Sequence, residues 1–274
     1  MSIITFSGVS ISRGSNTVLK DIDLQIPSNA FIGVLGPNGA GKTTLFQTIL
    51  GLIKPDSGRI SVLNKPVKRG NLNIGYLPQA RSLPNHIRLE VSEFLKSSWN
   101  GEKWGLLSSS RSVELAIFAA LKLVHAQDMM RRPISELSGG ERQRILIAQC
   151  LMRRPDILIL DEPLISLDPS KAQDIIHLIR DIQRTLGITV LLSAHEINPL
   201  LGSLDKVLYM GRGSAVLGSV EDVINNQTLS KLYDTKIDVI HVNGRIFVMA
   251  GANPVEFSAH NHEHGQALQW HSHD

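Results

Sequence analysis

The sequence predicts a mixed α/β fold with a helical middle third. A β-type run, Phe31–Leu35, feeds straight into a glycine-rich turn at 36–41 and then into a helix-patterned stretch at 42–52. Two near-continuous apolar runs, Ile157–Leu160 and residues 188–192, flank a helix-patterned segment at 171–186. Apolar runs joined by a crossover helix are what parallel strands require when a sheet is covered on both faces.

The other elements follow in chain order. Short runs at 3–7, 18–26 and 73–76 have the composition of strands. Residues 89–96 and 113–124 read as helices separated by the polar, glycine-containing stretch 97–110, and 141–152 reads as a further helix. Beyond Asp205, weaker strands at 206–210 and 214–217 and an alternating pair at 238–241 and 245–249 indicate a small β-rich ending. No internal repeat is visible.

Composition narrows the class. A chain of 274 residues with 42% hydrophobic content can bury a full core without staples. Its single cysteine, Cys150, cannot form an intramolecular disulfide, and the start MSIITFSGVS lacks a basic segment followed by a long apolar run, so a reducing cytosol is expected. No run of about 18 apolar residues exists to span a membrane. The net charge of +3 is small and the cations are scattered among acids, so no nucleic-acid partner is expected.

The turn after the first central strand reads Gly36-Pro37-Asn38-Gly39-Ala40-Gly41-Lys42-Thr43-Thr44 and fits the P-loop pattern G-x-x-x-x-G-K-[ST]. Glycine is needed where backbone N–H groups must turn inward and approach a polyphosphate closely. Lys42 is placed to reach the β- and γ-phosphates and Thr43 to ligate Mg²⁺, with the positive end of the following helix adding to the site.

A second constellation is the apolar strand Ile157–Leu160 ending in Asp161 and Glu162. Carboxylates there sit at the carboxyl edge of a parallel sheet, where ligands of such folds bind. Adjacent residues on an extended strand face opposite ways, so Asp161 is expected to hold Mg²⁺ through water while Glu162 points toward an attacking water. A third is Leu137-Ser138-Gly139-Gly140-Glu141. Ser138 and Glu141 form a capping box that needs no ligand, and the two glycines equally leave an exposed helix end where a phosphate could bind.

With these motifs in hand, the sequence resembles the nucleotide-binding subunit of an ABC transporter. LSGGE resembles the family's signature, GPNGAGKTT its P-loop and LILDEP its metal and base strand. Tyr76-Leu77-Pro78-Gln79 is similar to its Q-loop, Ser166-Leu167-Asp168 to its D-loop and Ser193-Ala194-His195-Glu196 to its switch-histidine segment. The motifs stand in family order over residues 1 to 220. The resemblance implies an ABC cassette at 1–220, with a mixed-sheet core, an antiparallel β subdomain and a helical subdomain at about 80–155. A small C-terminal α/β extension would follow at 221–250, and a loose His-rich tail at 251–274.

It further implies a head-to-tail homodimer in which ATP lies between the P-loop of one copy and Ser138, Gly139 and Gly140 of the other, with Asp168 close by. Glu162 is then the base, His195 the contact to the γ-phosphate, and Gln79 a Mg²⁺ ligand that senses the membrane partner. Where the family places an aromatic residue on adenine, this chain has Arg13, whose guanidinium plane can also stack on a base, although an exposed strand-end arginine is an equal alternative.

One cassette without a membrane span resembles an importer subunit. It would act at the cytoplasmic face of the cell membrane with integral membrane permease subunits, the cargo being delivered by an extracytoplasmic metal-binding protein. "LEVSEFLK" and "RRPISELSGGERQR" resemble the zinc and manganese branch, which puts zinc first and manganese, iron chelates or haem as alternatives. A soluble non-transport ABC ATPase is disfavoured, because those commonly carry two cassettes or a long coiled coil. Half of the ten histidines, His260, His262, His264, His271 and His273, fall in the last fifteen residues with Glu263 and Asp274 among them, a donor set suited to Zn²⁺. An adventitious metal-binding end is the alternative.

Overall fold

Two long antiparallel strands, β1 (Ser2–Arg13) and β2 (Asn16–Pro27), open the chain in a computed structural model that describes residues 1–14, 16–79, 89–99, 111–250 and 253–254. Then come β3 (Phe31–Leu35), α1 (Lys42–Ile49), β4 (Ser57–Val62), β5 (Lys65–Pro66) and β6 (Ile74–Leu77). Three helices follow, α2 (Val91–Trp99), α3 (Arg111–Leu123) and α4 (Gly139–Leu151), before the chain returns through β7 (Ile157–Leu160), α5 (Pro169–Leu186) and β8 (Thr189–Ser193). The hairpin β9 (Lys206–Gly211) and β10 (Ser214–Gly218) leads to α6 (Val220–Val223), α7 (Asn226–Tyr233), β11 (Ile237–Val242), β12 (Arg245–Ala250) and β13 (Asn253–Pro254).

The central sheet has the order β10-β9-β3-β8-β7-β6, parallel throughout except at the β9–β10 edge. Strand alternation divides its side chains between two cores. Ile32, Val34, Ile157, Ile159, Leu191 and Leu208 face α1 and the antiparallel sheet β2-β1-β4-β5. Phe31, Leu35, Leu158, Leu160, Val190 and Leu192 face the other way, into the core shared with the helical region and the C-terminal strands. β3, β7 and β8 are buried at every position, as the near-continuous apolar runs require. Each fully buried aliphatic side chain here contributes roughly 1.5–3 kcal/mol over leaving it in water.

α5 begins two residues earlier than its apolar pattern indicates. Asp168 caps it by accepting from Lys171 N, Pro169 fills its first turn, and Gly187 closes it at φ 63°. The short elements β4, β5, α6, α7 and β13 escape the sequence reading. β4 buries only Ile60 and Val62 among six residues, and α7 buries only Leu229 and Leu232 among eight, so neither carries enough periodicity to stand out.

Candidate functional site

The loop between β3 and α1 is closed to side chains at Gly36 and Gly41. Gly36 sits at φ 140°, where a Cβ would lie 2.2 Å from the carbonyl oxygen of Met210 on β9. Gly41, at φ 99°, is the N-cap of α1 and brings no capping side chain, and the first turn holds no acid. A helix start of this kind offers backbone donors and a positive dipole end to an anion, which fits a polyphosphate. The Lys42 ammonium is buried and donates to the carbonyls of Gly36 at 2.5 Å and Pro37 at 3.3 Å, beside the same loop.

Two hard oxygen donors meet at the foot of α1. The Thr43 hydroxyl donates to Asp161 Oδ2 at 2.9 Å, linking P-loop and β7. Asp161 is 1% exposed, and its other oxygen accepts from the Ser193 hydroxyl at 2.7 Å. A hydroxyl beside a fixed carboxylate suits Mg²⁺, a hard cation that prefers oxygen. Ser193, at the end of β8, also accepts from the backbone N–H of Glu162 at 2.8 Å. The sequence reading assigned Ser193 no role of its own; its place at the end of an apolar strand two residues before His195 is the signal that could have found it. Nearby Tyr76 is pushed up to about 12, first by burial and then by the charge of Asp161.

Asp161 and Glu162 do diverge, but not by strand alternation as expected. β7 ends at Leu160, and Glu162 occupies the left-handed region at φ 52°. That conformation is uncommon for a residue with a Cβ and persists only when its surroundings hold it. They do so here at three points. Ser193 receives the Glu162 backbone N–H, His195 Nε2 lies 2.8 Å from Glu162 Oε1, and the Gln79 side-chain amide donates to Glu162 Oε2. The Glu162 carboxylate is thereby almost enclosed, at 7% side-chain exposure against 40% for His195. Gln79, Glu162 and His195, remote in sequence, form one cluster beside the Thr43–Asp161 pair.

The Ser138 segment stands apart from this cluster. Its capping box is formed: Glu141 N donates to Ser138 Oγ at 3.3 Å and Ser138 N to Glu141 Oε2 at 2.7 Å. The Ser138 N–H and then the Arg132 guanidinium hold the Glu141 carboxyl below the usual carboxylate range. A Cβ on Gly139 would lie 3.7 Å from Leu167, and one on Gly140 would lie 3.5 Å from Lys171. Those are ordinary contacts, so packing inside the chain does not demand glycine at either position. Asp168 caps α5 and pairs with the Lys171 ammonium at 2.8 Å. Arg13 is exposed and its guanidinium donates to Gln47 on α1.

The five tail histidines, His260, His262, His264, His271 and His273, lie outside the described residues. Among the described residues no group of three or more His, Cys, Asp and Glu side chains could hold a metal ion, and no helix is long and apolar enough to cross a membrane.

Comparison with known proteins points to one family. Residues 19–165 match the ABC transporter family. The zinc import ATP-binding protein ZnuC of Yersinia enterocolitica is 33% identical over 267 residues, covering 97% of this chain and 94% of that protein. The protein of the same name from Alcanivorax borkumensis is 33% identical over 84% of this chain and 83% of its own length. Among solved structures, cbiO1 of Clostridium perfringens, part of the ABC transporter complex cbiONQ, aligns with a TM-score of 0.72 and 27% identity over 84% of this chain and 93% of that one. The ATP-binding cassette MJ1267 in its ADP conformation shares the fold at a TM-score of 0.74 and 24% identity, over 85% of this chain and 97% of that one.

Proposed function

The chain belongs to the ABC transporter family, and from that premise we propose that it is the ATP-hydrolysing subunit of a zinc importer, working at the inner face of the membrane with separate integral membrane permease subunits. The observation that carries the reading is the meeting of Gln79, Glu162 and His195 on one carboxylate, beside the Thr43–Asp161 pair and a loop in which a Cβ on Gly36 would strike Met210. Zinc as cargo is supported by relatives named for zinc import over most of both chains.

The backbone of Gly36–Thr44 and the Lys42 ammonium hold the phosphates of ATP. Thr43, Asp161 and Gln79 supply oxygens for Mg²⁺, which when bound neutralises charge on the phosphate oxygens. Ser193 keeps Asp161 in place, so the metal-side carboxylate is oriented before nucleotide arrives. Glu162 takes the proton of the attacking water. The Gln79 amide donates to one of its oxygens and His195 Nε2 lies 2.8 Å from the other, which orients the carboxylate while each oxygen keeps a further lone pair for the water's proton. His195, beside Glu162, stabilises the charge that develops on the γ-phosphate.

Two copies of the chain complete the site. Glycines at 139 and 140 that internal packing does not require are what a phosphate approached from across a dimer interface would need. Ser138, Gly139 and Gly140 then serve the partner's nucleotide, with Asp168 close by. In this reading residues 1–220 are the motor, 221–250 an extension and 251–274 a zinc-binding tail fed by ions that an extracytoplasmic metal-binding protein delivers. Arg13, whose guanidinium donates to Gln47 on α1, serves in this reading as the adenine contact. The test is to purify the chain with its native membrane subunits and measure which metal, presented on the binding protein, stimulates ATP hydrolysis. Stimulation by manganese or an iron chelate but not zinc overturns the zinc assignment and leaves the ATPase assignment standing.

A further inference from the structure

We infer that Asn198 is a positioning residue for ATP hydrolysis, through which the C-terminal sheet holds the segment that carries His195. The inference rests on the reading of His195 given above.

β12 is the middle strand of the C-terminal sheet, and among the described residues β13 pairs with it at Met249 and Ala250. At Ile246 the edge facing away from β11 has no strand partner among the described residues. The Asn198 carboxamide fills that place. Its Nδ2 donates to the Ile246 carbonyl at 2.9 Å, and the Ile246 N–H donates to its Oδ1 at 2.8 Å. A side-chain amide presents one donor and one acceptor in the geometry of a peptide group, so it satisfies an edge as a strand would. The two bonds also fix which end of the amide is oxygen, since the reverse assignment would oppose like groups.

The consequence lies three residues upstream. His195 sits between β8 and the short 3₁₀ turn Asn198–Leu200. The β8 end is fixed by the bond from Ala194 N to Val34 O at 3.2 Å and the turn end by Leu200 N to Ile197 O at 2.9 Å, with Ile197 and Leu200 buried. His195 itself remains 40% exposed beside Glu162. Asn198 ties the turn to β12, while Arg245 and Phe247, its neighbours on either side of Ile246, help wall a cavity of about 700 Å³ that Glu162 and His195 also line. One strand thus holds the switch segment by its backbone and bounds the same cavity by its side chains. Displacing a reacting group by about 1 Å can cost up to 10²-fold in rate, so a loosened turn is expected to reach the chemistry.

The test compares N198A, N198D and H195A in the full-length chain, measuring kcat, KM for ATP and ADP affinity by calorimetry. N198A is expected to lower kcat about tenfold while KM and ADP affinity stay within about twofold, the pattern of a group lost from the transition state and not from ground-state binding. N198D keeps the acceptor for Ile246 N–H but loses the donor to its carbonyl. It should show the same split, and it carries the test if N198A does not fold. Wild-type kcat in the folded variants, or kcat and affinity falling together, overturns the positioning role. Wild-type kcat in H195A instead overturns the reading of His195, a result distinguishable from either.

Discussion

His195 Nε2 lies 2.8 Å from Glu162 Oε1, so the group assigned to the γ-phosphate and the group assigned to water are in direct contact. The pair is held from beneath by Ser193, which receives the Glu162 backbone N–H, and from the side by Gln79. Glu162 and His195 therefore form one unit, and a change at either reaches the other.

Glu162→Gln removes the proton acceptor while keeping shape and most of the hydrogen bonding. Turnover should fall by about 10²–10⁴, the usual contribution of general-base action. ATP affinity should change little, because the P-loop is untouched. Steady-state hydrolysis and nucleotide titration read the two separately; undiminished turnover would sink the base assignment.

Ser193→Ala strips two partners at once. Asp161 Oδ1, 1% exposed with the rest of its side chain, loses its donor, and the strained Glu162 backbone loses its acceptor. Leaving buried polar groups unpaired costs about 1–3 kcal/mol each. A lower denaturation midpoint together with a lower kcat is expected. A variant with wild-type turnover would show that Ser193 does not orient the carboxylates.

Arg180 grips Asp205 through both guanidinium ends, at 2.5 and 2.7 Å, and Asp205 also accepts from Phe31 N at 2.7 Å where β3 begins. The Arg180 hydrogen bond is the main cause that holds the Asp205 carboxyl below its ordinary range. A depressed carboxylate stabilises the fold above its unfolded pKa of about 4, and the contribution disappears as pH falls through the lower folded value. Asp205→Asn should flatten the acid limb of the stability curve. Its cost at neutral pH is held to about 1 kcal/mol by solvent screening, since the carboxylate is 36% exposed. Denaturant unfolding between pH 3 and about 7 checks both; parallel curves for variant and wild type would refute the linkage.

Removing the residues after Gly251 takes away five histidines. Calorimetric titration with Zn²⁺ should show uptake in the full chain and its loss in the shortened one. Equal zinc uptake by both would dismiss the tail as a metal site.

Much of the machinery was legible because it is local. The P-loop is written in eight consecutive residues whose glycines have one reason to be there, and the Ser138–Glu141 box follows from a spacing of three along a helix start. Buried parallel strands announce themselves by composition, since a strand covered on both faces has no polar side to display. Short elements such as β4 and α7 stayed hidden because two buried residues make no period.

What needed the folded molecule is everything that depends on register between distant strands. The order β3-β8-β7-β6 sets the carboxyl ends side by side, and only then do Thr43, Asp161, Ser193, Glu162, His195 and Gln79 converge. The left-handed turn at Glu162 runs against the local preference of a residue with a Cβ, so no local rule could have foretold it. The Asn198–Ile246 clamp joins residues 48 apart through one side-chain amide and one strand edge. Local hydrogen bonds can be read from spacing, whereas these contacts exist only because tertiary packing fixes which strand edges and which loops are neighbours.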